Sequence, residues 1–451
     1  RLVAFEEYFL HNHRENRPAT FFLRIDFAQK LDRGLAESAL EIICHRHPLS
    51  RCVVNHSSTR PHWERSDQLP KLKWQDKPAR VENVNRDLDI TAQPGIRIFA
   101  FDGVDHAEKG GLDSINSSTE NEASASFLFV VHHVLFDGLG FLQWFSDWMH
   151  CYRALQLEPK HNVANQFAEL PLPNRCQPDL GFFEKFRLLP GQWKSVRATF
   201  QILRRTVIPL VAPELSRSPK DQAPGFARLH LSADETMRLK AHSAGKDISL
   251  NSQLVSDLFV TIAKWQTKIG KLPEGSHLRV MVPINERTRK HRSMASCNHC
   301  TIINLDRTHE ETAAPEELTR SIEQEMSVIA RWKLSLNFWR GIGLFRMLPG
   351  GLEKHLRGDH VTATALFTNL GRVIPKLMRA KTLDLQSANG PLQVSDFEAF
   401  APLTHGLVVA FALAYVHQQL RITLQFDRRF VTQEQAESLM VEFRQRILSN
   451  I

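Results

Sequence analysis

Cysteine is scarce in this sequence. Six residues spread over 451 supply no disulfide framework, and the reducing cytoplasm is the expected compartment. The closest pair, Cys297 and Cys300 in SCNHCTIIN, encloses His299, but no second CxxC and no HxxxH offers further zinc ligands, so no metal is expected. Long apolar runs are missing too. The longest, LVVAFALAYV at 407–416, is about half of the ~20 residues a spanning helix needs, and no membrane span is expected. No apolar leader follows Arg1, so the chain does not read as secreted, and a removed leader stays open. Charge never accumulates into a block: 57 basic and 49 acidic side chains leave a formal net charge of +8. That fits nucleic acid poorly; it suits an acidic carrier protein or a phosphate-bearing cofactor, with plain solubility charge as an equal reading. Signature loops are absent as well. There is no GxxxxGKS/T and no GxSxG, and Gly138 and Gly140 lack the third glycine of a dinucleotide turn because position 143 is Gln.

What is present reads as an ordinary globular chain, 42% hydrophobic and 24% charged, long enough for two domains of a little over two hundred residues. Periodicity predicts a helix over 31–51 stopping at Pro48, a strand at 96–102, a long polar surface loop at 108–126, a strand at 127–131 and a helix at 139–155. A basic helical stretch near 183–206 precedes a proline-rich, polar segment at 211–226, the expected interdomain linker. Beyond it come strands at 227–232 and 277–287, helices at 249–270, 316–333 and 432–448, and a hairpin at 406–427 turning near 417–420. This irregular alternation predicts an α+β fold rather than a doubly wound parallel sheet.

The stretch FLFVVHHVLFDGLGFLQWF at 127–145 is the point of interest. Phe127 to Val131 suit a buried strand, and from Gly138 onward Phe141, Leu142, Phe145, Trp148, Met149 and Tyr152 recur at helical spacing. His132, His133 and Asp137 therefore sit at a strand-to-helix junction, a place where scaffolds often present chemistry. Taken singly, either histidine reads as a satisfied core residue, and His133 with Asp137 is no metal-ligating pair because the pattern breaks between them.

The whole string, HHVLFDG at 132–138, resembles the HHxxxDG motif of the condensation-domain branch of the CoA-dependent acyltransferases, the superfamily that includes chloramphenicol acetyltransferase. RHPLSR at 46–51 is similar to that family's early RHxxLR segment, PINER at 283–287 to its PxNxR turn, and FTNLG at 367–371 to the SNLG-like stretch of its alcohol-acylating relatives. Thr368 where serine is common and Glu286 within the turn are departures that bear on the substrate branch. The resemblance implies two pseudosymmetric chloramphenicol-acetyltransferase-like domains, 1–210 and 227–451, joined by the linker 211–226. Each would be a mostly antiparallel sheet covered by helices, with an active-site tunnel at their interface. It further implies His133 as catalytic base, His132 as a packing residue, and Asp137 pointing away from substrate toward Arg287. Thr368, Asn369 or a backbone N–H near Gly138 would stabilise the oxyanion. No tightly bound cofactor is implied; acyl-CoA or a carrier-protein phosphopantetheine thioester would be the co-substrate, and a hydroxyl or amine the acceptor, as in natural product biosynthesis. The alternatives are a non-catalytic relative that binds an acyl carrier or docks in a biosynthetic assembly, and a structural protein with a coincidental motif.

Overall fold

The computed structural model describes residues 1–451 except 15–16, 58–59, 104–123, 182–186, 189–190, 192–204, 212–223, 270–274, 357–360 and 378–391. The first half of the chain forms α1 (Ala4–Asn12), β1 (Thr20–Phe27), α2 (Arg33–Arg46), β2 (Cys52–Asn55), β3 (His62–Arg65), β4 (Leu72–Gln75), β5 (Ile96–Asp102), β6 (Ala125–His132), α3 (Gly138–Leu155) and α4 (Lys160–Gln166). Then follow β7 (Pro224–Leu231), α5 (Ala233–Gly245), α6 (Leu250–Ile269), β8 (His277–Asn285), β9 (Cys300–Thr308), α7 (Pro315–Trp332), α8 (Asn337–Met347) and α9 (Gly351–Leu356). The chain closes with β10 (Ala365–Arg372), α10 (Ile374–Leu377), β11 (Val394–Phe400), β12 (Val409–Val416), β13 (Gln419–Asp427) and α11 (Gln433–Leu448).

The fold is α+β, with two larger sheets each covered by helices. Strand order is β11-β1-β6-β5-β4 in one and β7-β13-β12-β10-β8-β9 in the other. Most neighbours are antiparallel; β4 beside β5, and β10 between β8 and β12, run parallel. A parallel neighbour needs a crossover, and the helices α7 to α9 provide it before the chain inserts β10 between β8 and β12.

Residues 394–400 lie well past the expected linker, yet they form β11 and pair antiparallel with β1 at the edge of the first sheet. Val394, Phe397 and Ala399 are buried in the first core, as are Leu336, Trp339 and Ile342 from the second half. The two halves are thus interleaved. β11 has a tie on the other side too, because the Thr423 hydroxyl on β13 donates to the Ala399 carbonyl. Of the linker itself, 212–223 lie outside the described residues, and Pro224–Phe226 already belong to β7. The predicted loop at 108–126, up to 123, and nearly all of the basic stretch at 183–206 also lie outside them.

β6 explains its own unbroken apolar run. Phe127, Phe129 and Val131 enter the first core, while Leu128 and Val130 on the opposite face join Phe22, Phe226 and Phe400. A strand covered on both faces has no solvent side to alternate with. Phe129 meets Phe141 at 4.9 Å, Phe145 at 5.6 Å and Trp148 at 6.1 Å between ring centroids, all near edge-on. That geometry suits the aromatic quadrupole. The Trp148 indole N–H donates to the Ala36 carbonyl of α2 at 3.0 Å, so α3 lies clamped between β6 and α2.

The predicted hairpin at 406–427 is β12 and β13, and its turn residues His417 and Gln418 both take positive φ, 44° and 69°. Two such residues make the tight turn whose twist matches the strands. Because Phe129 sits at the centre of the α3 contact, Phe129→Ala should lower unfolding free energy by about 3–5 kcal/mol. Chemical denaturation of the purified protein checks this, with no change expected in overall secondary structure.

Candidate functional site

β6 delivers its last residue in register with Thr20. The His132 N–H then donates to the Gly95 carbonyl at 2.9 Å, and the His133 N–H to the Ala19 carbonyl at 2.8 Å. The chain turns, with the Leu135 N–H donating to the His132 carbonyl at 3.0 Å. His132, Val134, Leu135 and Phe136 are all fully buried. His133 alone among them keeps partial exposure.

The His133 ring lies flat on Phe9 of α1, centroids 3.8 Å apart and planes within 12°, with Phe21 approaching edge-on at 5.2 Å. Its Nδ1 is buried with no hydrogen-bond partner among the described residues. Burial pushes the imidazole pKa below its ordinary value, against the opposing pull of the Asp137 charge, its own backbone and nearby Asn298. The ring is therefore neutral at neutral pH. Asn298 lies close enough to favour the charged ring, though no well-formed hydrogen bond joins the two side chains. Its amide nitrogen instead donates to the His133 carbonyl at 2.7 Å and the Val134 carbonyl at 2.9 Å. Nothing in the sequence singled out Asn298; it lies 165 positions from His133, and only the packing of the segment before β9 brings it there.

Asp137 caps α3, accepting from the Gly140 N–H at 2.7 Å and from the His299 N–H at 2.7 Å. Arg287 meets the same carboxylate with both terminal nitrogens, Nη2 to Oδ1 at 2.8 Å and Nη1 to Oδ2 at 2.9 Å. Burial raises the Asp137 pKa, but Arg287 and the backbone donors outweigh it and hold the carboxyl below its ordinary value. Arg287 also donates to the Cys297 carbonyl at 2.7 Å, and Asn285 accepts from both its backbone N–H and its Nη1. That gives the asparagine of PINER a role. Glu286, the departure in that turn, accepts from Thr301 at 2.9 Å and from the Ser335 hydroxyl.

The other sequence landmarks reach the same helix. The His47 Nδ1 accepts from the Ser296 N–H at 2.9 Å, and its Nε2 lies 3.2 Å from Asp147 of α3. A Cβ at Gly138 would meet Leu370 Cδ2 at 2.6 Å, and one at Gly140 would meet the Cys297 carbonyl oxygen at 2.5 Å. Gly140 is thus needed for close approach of the second-half backbone, whereas a Cβ at Gly138 would require only that the Leu370 side chain shift. By strand alternation Thr368, a partly exposed residue, is on the face of β10 opposite Asn369. Asn369 faces the other way, accepting from the Gly371 N–H at 2.8 Å and donating to Asn251 at 3.2 Å.

No group of three metal-ligating side chains occurs among the described residues. Burial pushes the Cys297 thiol up to about 12 and the His299 imidazole down to about 4. Neither Cys297 nor His299 is therefore charged at neutral pH.

No family model matches the chain, and no curated protein matches it in sequence. Among solved structures it is similar to the TRI3 trichothecene 15-O-acetyltransferase from Fusarium sporotrichioides, at 13% identity over 100% of this chain and 94% of that one, with a TM-score of 0.69. It is also similar to the condensation domain of the monacolin K polyketide synthase MokA, at 12% identity over 99% and 96% of the two chains, TM-score 0.62. The epimerization domain from the third module of tyrocidine synthetase B gives 12% identity over 100% and 96%, TM-score 0.61. The fold of the chain is that of condensation and acyltransferase domains.

Removing one partner of a buried, hydrogen-bonded ion pair strands the other, at a cost of about 3–5 kcal/mol. Asp137→Ala and Arg287→Ala should each destabilise by that order, and the double variant should lose clearly less than the sum. Denaturation of all four proteins completes the cycle, and additive losses would show the pair to be uncoupled. The folded pKa of Asp137 is depressed. Its contribution is therefore full above the unfolded value of about 3.9 and is lost as pH falls through the folded value.

Proposed function

We propose that this chain is an acyltransferase that moves an acyl group from a CoA or carrier-protein phosphopantetheine thioester onto a hydroxyl or amine, with His133 as general base. The single observation that carries the reading is the contrast at the junction: one neutral, partly exposed imidazole in a loop whose neighbours are wholly buried and whose helix is capped by a doubly bonded Asp137–Arg287 pair. The fold shared with condensation and acyltransferase domains supports it.

A neutral imidazole accepts the proton of an incoming hydroxyl or amine as the oxygen or nitrogen bonds to the thioester carbonyl carbon. The carbonyl π electrons move onto oxygen, and the tetrahedral oxyanion needs a donor aimed at it. Thr368 fits that role better than Asn369, whose amide is engaged with Gly371 and Asn251. Collapse of the oxyanion breaks the C–S bond, and the leaving thiolate recovers a proton from the imidazolium. An ordinary thiol pKa of about 8.5 makes it a good leaving group without a separate acid. Asp137 takes no part in proton transfer: its oxygens are held by Arg287, Gly140 and His299, and it acts by fixing the start of α3.

Thiol release followed with acyl-CoAs and with an acylated phosphopantetheine carrier, against a panel of alcohols and amines, tests the activity. His133→Ala should cut turnover by roughly 10²–10⁴-fold with little change in stability. Because the His133 pKa is depressed, the wild-type rate should hold steady down to about pH 6.5 and fall below it. A folded His133→Ala protein with wild-type turnover would overturn the base assignment in favour of a carrier-binding role. Thr368→Val should lower kcat by roughly 10²-fold, the usual effect of deleting one oxyanion donor. Unchanged kcat in that variant would move the role to a backbone N–H near Gly138.

A further inference from the structure

His132 is wholly buried, yet both of its ring nitrogens are used. Nδ1 lies 3.1 Å from the Val134 backbone nitrogen. A backbone N–H only donates, so Nδ1 is the acceptor and the proton of the neutral ring is on Nε2. Nε2 lies 2.9 Å from Nδ1 of His13, with the two rings 4.8 Å apart between centroids and 21° from coplanar orientation. His132 therefore donates and His13 Nδ1 accepts. That places the His13 proton on Nε2, 3.0 Å from Oδ1 of Asp87. Every step is forced by the one before it, from a backbone amide in the interior to a carboxylate at the surface.

The N–H at the inner end belongs to the peptide unit that joins His133 to Val134. The carbonyl of that same unit, on His133, accepts from Asn298 at 2.7 Å. Both ends of one peptide plane are thus gripped by side chains, and the orientation of that plane sets ψ of His133. We propose that His13 and Asp87 are positioning residues for His133: they anchor the His132 ring in the tautomer that Val134 imposes, and through it hold the peptide that aims the His133 imidazole.

This role rests on the acyl-transfer reading of His133, while the proton order along the chain does not. His13 is the imidazole of the pair that reaches solvent, with its side chain 21% exposed, and it carries the contact from buried His132 out to Asp87.

The test compares the full chain with His13→Ala and His13→Asn, the latter placing an amide oxygen near the position of Nδ1 that accepts at every pH. Two readouts are taken: steady-state acyl transfer against pH, and ¹⁵N NMR of the His132 ring. The expected result is a fall in kcat of roughly 10–10²-fold for His13→Ala with KM little changed, as for any small misalignment of a reacting group. His13→Asn should restore most of kcat. In the NMR arm, all three proteins should show a protonated Nε2 and a bare Nδ1 on His132, with the Nε2–H resonance displaced in His13→Ala, where its acceptor is gone, and restored in His13→Asn. Wild-type kcat in His13→Ala, or no recovery in His13→Asn, overturns the positioning role. A protonated Nδ1 on His132 in the wild type, or an Nε2–H resonance unmoved in His13→Ala, overturns the chain. If the wild type transfers no acyl group from any donor, the acyl-transfer reading fails on its own and the NMR arm alone sustains or overturns the proton order.

Discussion

The contact between Asp137 and Arg287 is the constraint on which the rest of the site depends. It is a two-bond pairing of opposite charges away from water, with the remaining acceptor capacity of the carboxylate met by the Gly140 and His299 N–H groups. A buried carboxylate is tolerated only when it is matched this fully. Its position is as important as its strength. Asp137 begins α3 in the first half of the chain and Arg287 follows β8 in the second, so the pair fixes how the start of α3 meets the segment leading to β9. The same segment supplies Cys297, whose carbonyl accepts from Arg287, and Asn298, which holds the two carbonyls beside His133.

Around that pairing the packing leaves little freedom. Gly140 has no room for a Cβ because the Cys297 carbonyl occupies the space, and Gly138 packs against the Leu370 side chain. His47 bridges α3 to Ser296 by using both ring nitrogens. The aromatic cluster of Phe127, Phe129, Phe141, Phe145 and Trp148 secures the rear of the junction, and Phe9 covers one face of the His133 ring. The general-base role proposed for His133 needs a rigid mount and a neutral resting state. Burial supplies the second by disfavouring the charged ring, and the interleaving of β11 with the first sheet helps supply the first.

Much of this was legible from residue patterns. The change from an apolar run to helical spacing at Gly138 located the junction within a residue or two, and the alternating strands and helices gave the α+β class. The hairpin at 406–427 was equally readable, since β12 is a continuous apolar run and β13 alternates apolar with polar residues. Less was legible where partners are remote in the chain. The position of β11 beside β1 was not, because VSDFEAF carries only a strand pattern and no sign of which edge it will join. The parallel placement of β10 has the same cause. Thr368 and Asn369 read as equivalent donors in sequence, whereas strand alternation turns them to opposite faces and commits one of them.

His13, Asp87 and Asn298 show where the boundary lies. A histidine just past a short helix, an aspartate in a polar segment and an asparagine between two cysteines have no periodicity in common, and each side chain alone is compatible with plain solvation. Sequence by itself determined the local conformations, the α+β class and the identity of the junction, because those follow from propensity and hydrophobic period along one stretch of chain. Tertiary structure alone decided which nitrogen of His13 carries its proton, which carbonyls Asn298 grips and why position 140 must be glycine. The hydrogen bonds among these link residues 74 to 165 positions apart, and hydrogen-bond direction is a property of the assembled geometry rather than of any single segment.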